Sequence, residues 1–163
     1  MKKLRILAAI GGALVLVGTG VTAWLIHEMN ESIGTNTWRR DGPPSETDMI
    51  RLLGSDYPRS ITRVVEDGVS SRFNGDGEEL IIFCFPASDL PRMVKLLSDD
   101  RDWSPGLPNG PNWRHQIDSR CPADLQIIPT ASSADFIHVQ IDNWRWTIID
   151  KNRGISYRVI IRT

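Results

Sequence analysis

Two cysteines, three histidines and a cluster of acids are the side chains in this sequence whose types invite chemistry. His27, His115 and His138 lie far apart, and no HExxH, CxxC or His-x-His spacing occurs, so no zinc site is expected. The stretch Asn74-Gly75-Asp76-Gly77-Glu78-Glu79 has the composition of a calcium loop. It lacks the regular ladder of ligands and the closing glutamate, and reads instead as a hairpin turn. Asp99, Asp100 and Asp102, with Glu78 and Glu79, would serve glycoside hydrolysis only if one acid were held protonated in a cleft. A cluster that follows a helix reads as a solvated face. No Gly-x-Ser-x-Gly elbow and no phosphate-cradling glycine loop is present. The expectation is a non-catalytic protein with no cofactor, and a hydrolase of unrecognised type is the least favoured reading.

Cys84 and Cys121 invite a disulfide if the domain lies in an oxidising compartment. The bond would tie a proline-rich loop to a strand and contribute roughly 3 kcal/mol by loop closure. The bland reading makes Cys84 a small buried hydrophobe and Cys121 a free thiol.

The aromatic residues suggest recognition. Trp103 and Trp113 bracket the proline-rich stretch, with Arg114 and His115 beside the second, and Trp and Arg dominate interface energetics. Trp144 and Trp146 stand two apart on one strand and so share a face. All six are candidate partner-binding residues. Against that, Trp103 and Trp113 would serve equally as a lid folded on the sheet, and Trp144 and Trp146 as core beneath a helix.

These residues sit on a chain with a marked N-terminal asymmetry. Lys2, Lys3 and Arg5 precede an uncharged run of 21 residues, Ile6 to Ile26, and no acid occurs before Glu28. A helix of that length spans roughly 30 Å, the hydrocarbon thickness of a bilayer. The basic flank sets residues 1–5 in the cytoplasm and the following domain outside it, with Trp24 at the far interface. The rival reading is a signal peptide cleaved after residue 23. Both readings export the domain, so the expected location is the cytoplasmic membrane with a periplasmic or extracellular domain. Gly11, Gly12, Gly18 and Gly20 could form a close helix-packing face toward other membrane-complex subunits. Three of the nineteen basic residues precede His27, so the remainder carries 16 Lys and Arg against 20 Asp and Glu. That acidic balance, without a basic stripe, argues against nucleic acid.

Residues 27–44 read as a polar tether, and residues 45–163 as one extracytoplasmic domain. Ser45 caps a short helix that Gly54 stops. Residues 61–71 look extended, with a bend or bulge at Gly68, and form a hairpin with the doubly apolar strand Leu80–Phe85. A second helix starts at Ser88 or Asp89 and carries Leu90, Met93, Val94 and Leu97 as its stripe. Trp103 to Asp124 shows no periodicity. Leu125–Ile128 reads as a short strand, and three alternating strands follow, the last two joined by a loop closing at Gly154. The order α-β-β-α-β-β-β-β predicts an α+β fold: an N-terminal transmembrane helix, then a small antiparallel sheet with two short helices packed on one face.

Overall fold

The segment Leu80-Ile81-Ile82-Phe83 is apolar on both alternating faces, so it can be buried only between two covering layers. The computed structural model describes residues 21, 22, 24, 34–71, 76–98, 100–110 and 112–162. Two compact units divide the chain, residues 1–36 with 71–75 and residues 37–70 with 76–163. Apart from a few strand-end residues, the sheet and helices below belong to the second unit. Gly11, Gly12, Gly18, Gly20 and most of the apolar run lie outside the described residues, although Val21, Thr22 and Trp24 are helical. Among the described residues no helix is long and apolar enough to cross a membrane.

In chain order the elements are β1 (Thr35–Gly42), α1 (Glu46–Leu53), β2 (Arg63–Ser71), β3 (Gly77–Cys84) and α2 (Leu90–Leu97). They continue with β4 (Ser104–Pro105), α3 (Asn112–Arg120), β5 (Phe136–Asp142), β6 (Arg145–Asp150) and β7 (Ile155–Arg162). The strands form one seven-stranded sheet in the order β1-β2-β3-β7-β6-β5-β4. Every pairing from β2 across to β4 is antiparallel. β3 lies between β2 and β7, as its two-sided apolar pattern requires, and Leu80, Ile82 and Phe83 have no exposed surface.

Side-chain alternation splits the core in two. Val64, Ile81, Phe83 and Ile149 face one side, where α1 contributes Met49 and α2 contributes Met93 and Leu97. Val65, Leu80, Ile82, Trp146, Ile148, Tyr157 and Val159 face the other, where Trp113 and Ile117 of α3 and Cys121 just beyond it pack. Two short helices therefore share one face as expected, and a third covers the opposite face. That third helix corrects the reading of residues 103–124 as structureless. Its apolar stripe is only Trp113, Ile117 and Cys121, spaced at i, i+4 and i+8, too sparse to show as a period between flanking prolines and glycines.

Local chemistry explains the better-read elements. The Ser45 hydroxyl accepts from the Asp48 amide, and the Gly54 amide closes α1 on the Ile50 carbonyl with φ at 81°. Residues 125–128, expected as a short strand, form none: Leu125 ends a 3-10 turn, Ala123–Leu125, and its amide donates to the Pro122 carbonyl. Residues 35–42 were expected in a tether and instead form an edge strand. Their polar sequence hides it, because an edge strand needs only one covered face. Arg40 pairs with Asp48 of α1, and Arg63 of β2 binds Asp41 at 2.6 Å.

Gly68 is no bulge: it pairs in regular register with Glu79. Its missing side chain makes room for Trp38 of β1, whose indole Cζ2 would lie 2.2 Å from an added Cβ. Gly154 has φ at 63°, and an added Cβ there would lie 2.0 Å from the Phe85 carbonyl oxygen. Gly68→Ala and Gly154→Ala should therefore each cost about 1–3 kcal/mol. Gly42→Ala, with open space around it, should stay within about 0.5 kcal/mol of the parent. Urea midpoints of the three variants check this; equal midpoints would contradict the assigned close approaches.

Candidate functional site

The six candidate recognition residues do not converge. Trp113 is 3% exposed, its indole N–H donates to the Pro108 carbonyl at 3.0 Å, and it anchors α3 to the sheet. Trp146 is also core, at 4% exposure. Trp103 is half-buried against the α1/α2 side, where its N–H donates to the Val94 carbonyl at 3.1 Å, so it closes the end of α2. Arg114 and His115 are exposed on α3, and the Arg114 guanidinium lies 5.2 Å from the centre of the Trp113 ring system. Arg114 also borders a pocket of about 370 Å³ beside Ile128. Trp144 stands apart from Trp146, in the turn between β5 and β6, and is 42% exposed.

Trp144 leads to an open pocket of about 410 Å³ lined by Asp142, Trp144, Arg145, Arg158, Ile160, Ile161 and Arg162. Register explains how these residues meet. Arg145 of β6 pairs with Ile160 of β7, Thr147 pairs with Arg158, and Arg162 lies opposite Gly77 of β3. Arg158 is also opposite Ile81, so this arginine row points to the α1/α2 side of the sheet. The helices cover the rows containing Phe83 and Ile149. The rows nearer the β5–β6 turn mix charge with apolar side chains, Arg158 beside Ile81 and Arg145 beside Ile160.

Asp142 organises the turn. Its carboxylate accepts the Trp144 amide at 2.8 Å and the Arg145 Nε–H at 2.7 Å. These bonds, the amide first, hold its carboxyl below the usual carboxylate range. The Ile161 amide donates to the Trp144 carbonyl at 2.8 Å, which ties the backbone of the turn to β7. Arg162 is engaged by Glu79 at 2.9 Å. Arg158 is half-buried and has no hydrogen-bond or ion-pair partner among the described residues. Beside it the Thr147 hydroxyl, in a residue 1% exposed, also lacks a partner among the described residues.

Sequence reasoning missed Arg145, Arg158 and Arg162. The signal that could have found them is arginine recurring on one face of two adjacent strands, each interrupting an otherwise apolar alternation.

The acids singled out for hydrolysis are dispersed. Glu78 binds Arg120 at 2.6 Å on the α3 side, while Glu79 binds Arg162 on the other, and Asp99 lies outside the described residues. Among the described residues no group of three His, Cys, Asp or Glu side chains could hold a metal ion. The His138 ring Nδ1 lies 2.9 Å from the Gly106 carbonyl oxygen, which ties β5 to the loop after β4. The chain matches no protein-family model, no curated protein and no solved structure.

Cys84 and Cys121, the expected disulfide pair, are free thiols here. They are nonetheless brought together. Cys121 belongs to the α3-side core, and Cys84, at the end of β3, packs against it. Burial raises the pKa of both thiols, that of Cys121 to about 12. At pH 8 the thiolate fraction is therefore small, and native alkylation should be far slower than for an exposed cysteine. Iodoacetamide should label neither residue quickly in the folded protein and both in denaturant without reductant. Labelling that appears only after reductant would contradict free thiols and establish the disulfide.

Proposed function

We propose that this chain is a non-catalytic single-pass protein of the cell envelope, an accessory subunit that holds its extracytoplasmic domain against a larger membrane complex. The anchor argument comes from the charge and length of residues 1–26. One observation carries the recognition role: the open arginine and indole pocket at the β5–β6 turn. Four of its seven lining residues are arginine or tryptophan, the types that dominate interface energies, and five of the seven lie on the paired strands β6 and β7. Of the acids considered for catalysis, Glu78 and Glu79 are held on opposite faces by their ion pairs. The inner membrane is the proposed location, with the N-terminus in the cytoplasm and other membrane-complex subunits as partners.

A second reading is a membrane-tethered binding, inhibitor or immunity protein. It is favoured by the placement of the pocket entirely on β5, β6, β7 and the turn they share, which leaves the anchor unnecessary for recognition.

The test is purification of the full-length protein from native membranes in mild detergent, beside a shortened protein beginning at Gly34 so that β1 is kept. The accessory-subunit reading predicts stoichiometric partners with the full-length protein and their loss or weakening with the shortened one. Partners held equally by both would favour the tethered binding module. A monomer without stoichiometric partners in either case would overturn both.

A further inference from the structure

We infer that the Arg158 pocket receives a carboxylate side chain from an extended acidic segment of the partner protein. The inference rests on the partner-binding reading above and adds the chemistry that is recognised. Arg158 is half-buried as a residue and opens onto the pocket, and among the described residues no counter-charge meets its guanidinium. The neighbouring arginines do not share this problem, because Asp142 neutralises Arg145 and Glu79 neutralises Arg162. Among the described residues the site therefore offers one unmatched positive charge, from Arg158, and not three.

That charge count selects among anions. A carboxylate carries one negative charge and presents two oxygens in the plane that a guanidinium fork matches. A phosphate or phospholipid headgroup carries more charge and is held by several free cations converging on it, which the two ion pairs preclude here. Beyond the arginines and Asp142 the lining is apolar. Ile160 follows Arg158 by two along β7, and the Trp144 ring stands exposed at the rim. The occupant that satisfies both the charge and the apolar lining is a segment with an Asp or Glu beside an apolar residue. Extended backbone suits it, because alternate side chains of a strand fall on one side.

The experiment uses the full-length protein in neutral detergent and three synthetic peptides of alternating Glu and Leu, Gln and Leu, or Lys and Leu. Binding is read from the Trp144 indole resonance, which is assigned by its loss in Trp144→Phe. The Glu peptide should bind at least about tenfold more tightly than the Gln peptide, the range for a hydrogen-bonded charge pair. The Lys peptide should not shift the resonance. Arg158→Gln should remove the difference between Glu and Gln, and Arg158→Lys should recover only part of it, since charge without the fork is retained. Arg145→Gln should have a smaller effect. Inorganic phosphate and vesicles containing anionic lipid are run in parallel.

Equal binding of the Glu and Gln peptides would overturn the inference, as would an Arg158→Gln protein that folds and binds the Glu peptide like the parent. Tighter binding of phosphate or vesicles than of the Glu peptide would overturn it in favour of a phosphate-bearing ligand. Its failure is separable from that of the accessory-subunit reading. Stoichiometric partners that persist in Arg158→Gln would leave that reading standing and remove this one.

Discussion

Four successive apolar residues in β3, Leu80 to Phe83, impose the constraint from which the remaining architecture follows. Successive side chains of a strand point to opposite faces, so this segment cannot be satisfied by one covering layer. Each fully buried large apolar side chain contributes about 1.5–3 kcal/mol only if its face is kept dry. On one side α1 and α2 provide Met49, Met93 and Leu97; on the other α3 and the chain after it provide Trp113, Ile117 and Cys121. β7 extends the same logic, with Tyr157 fully buried. The Tyr157 hydroxyl avoids a desolvation penalty by donating to the Leu125 carbonyl at 2.6 Å, while burial raises its pKa.

The helices are short, eight residues in α1 and in α2, and they do not reach across the full length of the strands. Where their cover stops, sheet residues change from apolar to charged. On the α1/α2 side Glu66 is bound by Arg51 at 2.6 Å, and Glu79 by Arg162. The Trp38 indole takes the place of a helix over Gly68. Arg158 lies in this border zone, opposite Thr147, and among the described residues neither side chain has a hydrogen-bond partner. The recognition surface is in that sense the uncovered remainder of a sheet whose centre demands cover. Its geometry is fixed by strand register, and Asp142 holds its rim.

Strong local signals were legible in the sequence. Ser45 and Gly54 marked both ends of α1, Leu90 to Leu97 gave α2 its stripe, and the alternation of β5, β6 and β7 was plain. The doubly apolar pattern of β3 correctly implied a central strand. What escaped notice depends on contacts distant in sequence. The existence of β1 depends on Trp38 meeting Gly68 thirty positions later, and α3 depends on a stripe of three residues meeting the sheet. The shared tryptophan face dissolved because Trp144 lies in the turn, one residue before β6 begins. The arginine pocket was hidden for a similar reason. Arg145, Arg158 and Arg162 read singly as solvated charges, and only the pairing of β6 with β7 gathers them.

Residue-resolved amide hydrogen exchange on the folded protein tests two-sided cover most directly. The amides of Leu80 to Phe83 and of Tyr157 to Val159 should be among the slowest, opening only with global unfolding, while the edge strand β1 exchanges orders of magnitude faster. Exchange from Leu80 to Phe83 at the rate of β1 would contradict the central claim, because it would mean that β3 is not enclosed by helices on both faces.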